Sequence, residues 1–363
     1  MRNVIAMPGQ KSSLDNYVLL ADIIRKQYEG ANELLYLRQL KDTTQMFNTL
    51  RRMFLTYELV DSLDAQPDSK GNVKLRYRQR NADYLKVFRP NLYKAGMYFM
   101  RKRDMAQSYV FYDTYLDCIY QPLFSDMKYA EKDTLLNEVA YLALSSAHRT
   151  GNHNGVEKYS ELALGHQKHA HMTLAMLYDS YIQQGDTLKA VSYLHRGFNE
   201  HPEHHFFFPR LVDYYASINH LDSVCDIVNR ACELEPGNMF YLLARNTIQL
   251  NMGEYDACIA LGDSLIHRND KLSEAYINVG SAYFNKALRC DRKPIDPSTG
   301  FTRLKKRNEV NEFYKKALPY IEAYRVQRPR RQDRWAEMLY TIYLNLNMGD
   351  KFDEIDSLLK KHQ

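Results

Sequence analysis

MTLAMLYDSYIQQGDTLKAVSYLHRGFNEHP, Met172 to Pro202, is the stretch on which the fold turns. Leu174, Leu177, Tyr178 and Tyr181 recur at steps of three and four, the spacing of one helix face. Gly185 then breaks the pattern. Ala190, Leu194 and Gly197 mark a second helical face, and Pro202 follows its end. The segment reads as two antiparallel helices joined by a short turn. Ala190 and Gly197 are small enough for the helices to approach closely.

The same layout returns along the chain. Gly151, Gly185 and Gly253 are separated by 34 and 68 residues, and Asn219 fills the missing place. Glycine and asparagine best tolerate the left-handed backbone of a tight helix–helix turn. Tyr181, Tyr215 and Tyr283 keep the same step, and Val156, Ala190, Val224 and Cys258 are each 34 apart. So are Ala163, Gly197, Ala231 and Leu265, and Pro202 and Pro236. Five columns in one register make a repeat architecture, the pattern to look for before any other.

The repeat resembles the tetratricopeptide repeat family, in particular bacterial-type multi-repeat proteins. In EAYINVGSAYF, residues Tyr276, Val279, Gly280 and Tyr283 match the family's aromatic-x2-aliphatic-Gly-x2-Tyr signature. Val224, Val228, Ala231 and Pro236 match its second-helix half, while Asn246 and Gln249 depart from it. The resemblance implies an all-α fold: a right-handed α-solenoid superhelix of antiparallel helix pairs. Units are expected to begin near residues 89, 137, 171, 205, 239, 273 and 332, so that the array covers 89–363. The unit from 89 carries Gly96, Phe99, Ser108, Tyr112 and Tyr115 at compatible spacing. Residues 289–310, RCDRKPIDPSTGFTRLKKRNEV, exceed one period and are expected to project as a loop. Residues 14–88 read as a divergent helical cap, with helices over Leu14–Tyr28 and Ala31–Leu63, behind a flexible 1–13.

Composition narrows the function classes. The chain has 363 residues, 45% of them hydrophobic, and a mean hydropathy of -0.54, enough for a core under a wet surface. Its 29 tyrosines suit thin layers in which a ring packs and its hydroxyl stays wet. A net charge of +5 is too small by itself to argue for nucleic acid. Cys118, Cys225, Cys232, Cys258 and Cys290 form no CxxC pair and read as reduced thiols. No run reaches the length of a membrane span. MRNVIAMPGQKSS lacks the apolar core of a secretory leader, so the expected compartment is cytoplasmic, or periplasmic or exported if a leader has been removed.

Three motifs invite chemistry. HPEHHFFFPRLVDYY, His201 to Tyr215, falls at the joint between two units, with Pro202 ending one helix and Pro209 in the first turn of the next. His166, His169 and His171 occupy one inter-unit turn, and His201, His204 and His205 the next. Solvated turn histidines are the ordinary reading; convergence on a metal, or a surface that charges below about pH 6.5, are the alternatives. Phe206 with Phe240, one period on, makes a candidate apolar patch. Two basic runs, Lys74–Lys94 and Arg325–Trp335, mix cations with aromatic rings and support a nucleic-acid alternative.

The resemblance implies a concave groove lined by first helices, which here presents Tyr141, Ser145, Asp179, Asp213, Phe240, Thr247, Ile277, Ser281 and Phe284. The family's best-known subgroup grips a chaperone's terminal carboxylate with lysine, asparagine and arginine, a set that Tyr141, Ser145 and Met176 do not supply. Catalytic signatures such as GxSxG, HExxH or a phosphate loop are missing from the sequence. The expectation is a non-catalytic adaptor or scaffold that needs no cofactor and takes a protein or peptide partner.

Overall fold

The computed structural model describes residues 14–39, 42–67, 69–294 and 302–360. Among them every regular element is a helix. The chain divides into two compact units, 1–201 and 202–363.

In the first unit the helices are α1 (Leu14–Tyr36), α2 (Thr43–Asp64), α3 (Arg78–Arg101), α4 (Met105–Asp117), α5 (Tyr129–Lys132), α6 (Leu136–Arg149), α7 (His153–Lys158), α8 (Ser160–Leu164), α9 (Ala170–Gln183) and α10 (Thr187–Glu200). The second holds α11 (Phe207–Ser217), α12 (Leu221–Leu234), α13 (Met239–Asn251), α14 (Tyr255–Arg268), α15 (Ser273–Arg292), α16 (Arg303–Gln327), α17 (Gln332–Asn345) and α18 (Gly349–Lys360). Within each unit a helix packs on its partner and on members of the next pair, as in an α-solenoid. One core runs from Tyr17 to Ala190. Another gathers residues between Ile277 and Ile355.

The turns explain the period. Gly151, Gly185, Gly253 and Asn219 all have positive φ, and so do Arg38, Arg103 and Asn347. After each, the next amide reaches back to a carbonyl five residues earlier. Gln39, Asp104, Asn152, Asp186, His220, Glu254 and Met348 donate over 2.8–3.0 Å to Leu34, Phe99, Ala147, Tyr181, Tyr215, Gln249 and Tyr343. That closure satisfies carbonyls a helix end would leave bare. Asp104, Asn152 and Asp186 also cap the following helix, accepting from amides at 3.0 Å. At these capped turns only three residues separate one helix from the next.

Tyrosine links the layers. Tyr84 donates to Glu29 at 2.8 Å, Tyr93 to Glu138 at 2.9 Å, Tyr181 to Glu157 at 2.7 Å, Tyr320 to Asp263 at 2.8 Å and Tyr343 to Glu322 at 2.8 Å. Each ring packs between helices while its hydroxyl reaches a carboxylate on a neighbouring element.

Three boundaries differ from the sequence reading. The break expected after Tyr28 falls instead after Tyr36, and Leu34 and Leu35 of α1 are exposed. The helix expected to start near 89 begins at Arg78 and runs through Pro90. The residue before that proline explains its place. Arg89 is buried, with its guanidinium 3.7 Å from the Tyr115 ring and 4.0 Å from Tyr129, and 2.8 Å from Asp133. It fastens to α3 the residues that separate α4 from α6. Finally, the expected loop at 289–310 is helical at both ends. Arg289–Arg292 close α15 and Arg303–Val310 open α16, while 295–301 lie outside the described residues, as do 1–13.

Candidate partner-binding surface

First helices carry most of the expected groove residues, and the structure sorts them. On α6, Tyr141 is half-buried and stacks on His169 at 4.4 Å and 13°. His169 stacks in turn on His166 at 4.9 Å and 14°. The Tyr141 hydroxyl donates to the Met172 sulfur at 3.3 Å. Burial lowers the His169 pKa, with His166 and Lys168 adding to the effect and Glu138 opposing it. The ring therefore prefers its neutral form in the stack. Sequence periodicity cannot show this three-ring arrangement, because it depends on how the turn after α8 folds over α6.

Ser145 is half-buried on the same helix. Asp179 on α9 is 42% exposed and stands 3.7 Å from His148 Nε2, a pair the sequence reading missed. His171 and His201 meet edge to face at 5.8 Å. Among the described residues no three His, Cys, Asp or Glu side chains converge closely enough to hold a metal ion.

In the second unit the opening of α11 resolves its three phenylalanines. Phe207 and Phe208 are buried, and Phe206 is half-buried beneath the Arg210 guanidinium at 3.7 Å. Phe240 at the start of α13 is 46% exposed. It rests edge-on against Phe208 at 5.6 Å and tilted against Tyr241 at 5.9 Å, with His205 at 6.1 Å. His204 is half-buried. Asp213 and Thr247 are exposed, and the Thr247 hydroxyl accepts from the Asn278 amide at 2.9 Å.

On α15 the expectation fails in part. Ile277 is 1% exposed and belongs to the core that α16 and α17 complete. Ser281 donates to the Met338 sulfur of α17, and Phe284 packs on Tyr314 of α16 at 5.6 Å. The 20- and 25-residue helices of this pair carry extra apolar surface, and covering it closes the face that shorter helices leave open.

Half of the cations in the two basic runs are paired with carboxylates within the fold. Asp64 accepts from Arg76, Asp61 holds Arg78 through two bonds of 2.8 Å, and Asp133 pairs Arg89. Arg325 pairs Glu354, Arg331 pairs Asp333 and Arg334 pairs Glu274. No helix among the described residues is long and apolar enough to cross a membrane.

The helix pairs and their closing turns build an all-α helical-repeat fold. No family model matches the chain. Nor does any curated protein. Similar solved structures include the MamA protein, at 18% identity over 55% of this chain and 96% of that one, with a TM-score of 0.34. A tetratricopeptide repeat protein from Parabacteroides merdae is similar at 15% identity over 66% and 98%, with a TM-score of 0.34. The C-terminal part of a TPR repeat-containing protein from Cytophaga hutchinsonii is similar at 8% identity over 72% and 98%, with a TM-score of 0.39.

Proposed function

We propose that this chain is a non-catalytic adaptor or assembly scaffold that binds a protein or peptide partner along its first helices. The observation that carries this reading is Phe240, an exposed ring seated on the buried Phe208 and the buried Tyr241. A large apolar side chain held rigidly at the surface loses little freedom on binding and suits a binding anchor. Polar neighbours such as Asp213 and Thr247 supply direction around it. Pairing of half the basic-run cations with carboxylates supports a protein partner over nucleic acid.

The test starts from a partner crosslinked to the full-length chain in its native cell and then purified. Phe240→Ala is expected to weaken that partner by about fivefold to thirtyfold. Leu188→Ala, at an exposed position on α10, is expected to leave affinity unchanged. Equal affinity of wild type and Phe240→Ala, with both variants fully folded, rules out this surface.

A further inference from the structure

The second unit contains a cleft of about 530 Å³ whose walls are α12 and α13. Its existence follows from two residues in the repeat register. In the first unit, Tyr181 of α9 fills the corresponding place, donating to Glu157 of α7 at 2.7 Å while Lys189 lies 4.3 Å from its ring centre. Sixty-eight residues on, Tyr181 becomes Gln249 and Glu157 becomes Cys225, and the position of Lys189 becomes Ala257. One further period restores the filling: Gln249 gives way to Tyr283 and Cys225 to Ile259, which pack in one apolar cluster. Where the ring is missing, a cleft opens.

Its lining is specific. Asp222 and Asp226 stand one helical turn apart on α12, and Glu254 stands at the start of α14. All three act on the Cys225 thiol, whose pKa is raised first by burial and then by these carboxylates. Three carboxylates against the single cation Arg245 leave a surplus of two negative charges on the lining. Gln249 contributes a buried side-chain oxygen with no hydrogen-bond partner, which calls for a donor. Cys225 donates to the Met252 sulfur at 3.1 Å, making a soft strip along one wall.

We propose that this cleft receives the guanidinium group of an arginine side chain carried by a bound polypeptide. The acceptors sit on both walls, where a planar fork of five N–H donors can serve a carboxylate and the Gln249 oxygen together. A compact ammonium serves one wall at a time. The aliphatic stem lies along Met252 and Ile248. The site is separate from the Phe240 surface, so loss of that anchor leaves it intact.

The full-length chain, with its methionine methyl groups isotopically labelled, is titrated with N-acetyl-arginine-N-methylamide, the neutral citrulline analogue and the lysine analogue. The Met252 methyl signal is expected to shift saturably with the arginine probe, and both analogues to bind at least about tenfold more weakly. Gln249→Tyr restores the ring of the other repeats and is expected to abolish the shift while helicity and melting temperature are retained. Asp222→Asn with Asp226→Asn is expected to weaken the arginine probe and leave the citrulline analogue unchanged. The proposal is overturned if arginine gives no saturable shift, if citrulline or lysine binds equally well, or if folded Gln249→Tyr binds like wild type. Should that variant fail to fold, an undiminished response in the double asparagine variant overturns it as well.

Discussion

Glu58 of α2 is 9% exposed, and its Oε1 has no hydrogen-bond partner among the described residues. Burial pushes its pKa up to about 8; Asp117 adds to the rise and Arg51 opposes it. Between its ordinary value of 4.5 and about 8, the folded state holds a proton that the unfolded chain has released. The folded chain therefore loses stability as pH climbs through that window, opposite to a salt-bridged carboxylate. Glu58→Gln removes the titration. It is expected to stabilise the protein by about 1–3 kcal/mol at pH 9 and much less at pH 5. Denaturant melts at both pH values check this, and an equal difference at both refutes it. Arg89 shows the opposite solution, a buried charge fully supplied with a carboxylate, a carbonyl and two rings. Neither environment is legible locally, because Asp133 and Tyr129 reach Arg89 across more than forty residues of sequence in one case and forty in the other.

Helices meet where their glycines allow it. A Cβ on Gly280 of α15 would stand 2.5 Å from the Ile321 side chain of α16, whereas one on Gly30 of α1 would meet nothing within 4 Å. The same substitution should therefore have opposite signs. Gly30→Ala is expected to stabilise by about 0.5–1 kcal/mol through helix propensity. Gly280→Ala is expected to destabilise by about 1–3 kcal/mol through overpacking. Thermal melts of the two variants decide it, and a stabilised Gly280→Ala would show that α16 yields freely. Against expected unit starts near 89, 137, 171, 205, 239, 273 and 332, helices begin at Arg78, Leu136, Ala170, Phe207, Met239, Ser273 and Gln332. Pro90 and the stretch after Arg289 misled for one reason. Proline and turn residues mark helix ends on average, but tertiary packing carried α3 through a proline and lengthened α15 and α16.

Across the molecule the fold class was readable because a solenoid repeats its local rules, and each repeat restates them in sequence. The candidate surface was less readable. Phe240 is exposed, but Ile277, expected on the same groove, is buried, since α16 and α17 complete a core around it. Exposure depends on what the next pair brings, which no single period records. The closing turns carry a further consequence. Arg38, Arg103, Asn219 and Asn347 adopt the left-handed backbone that glycine occupies at Gly151, Gly185 and Gly253. Replacing each with glycine relieves local strain without touching a core side chain, with more to gain from arginine than from asparagine. Because the four corners belong to different helix pairs, their gains should sum, and a quadruple variant is a direct engineering route to a hardier protein. Its calorimetric unfolding temperature, set against those of the four single variants, measures how independently the corners behave.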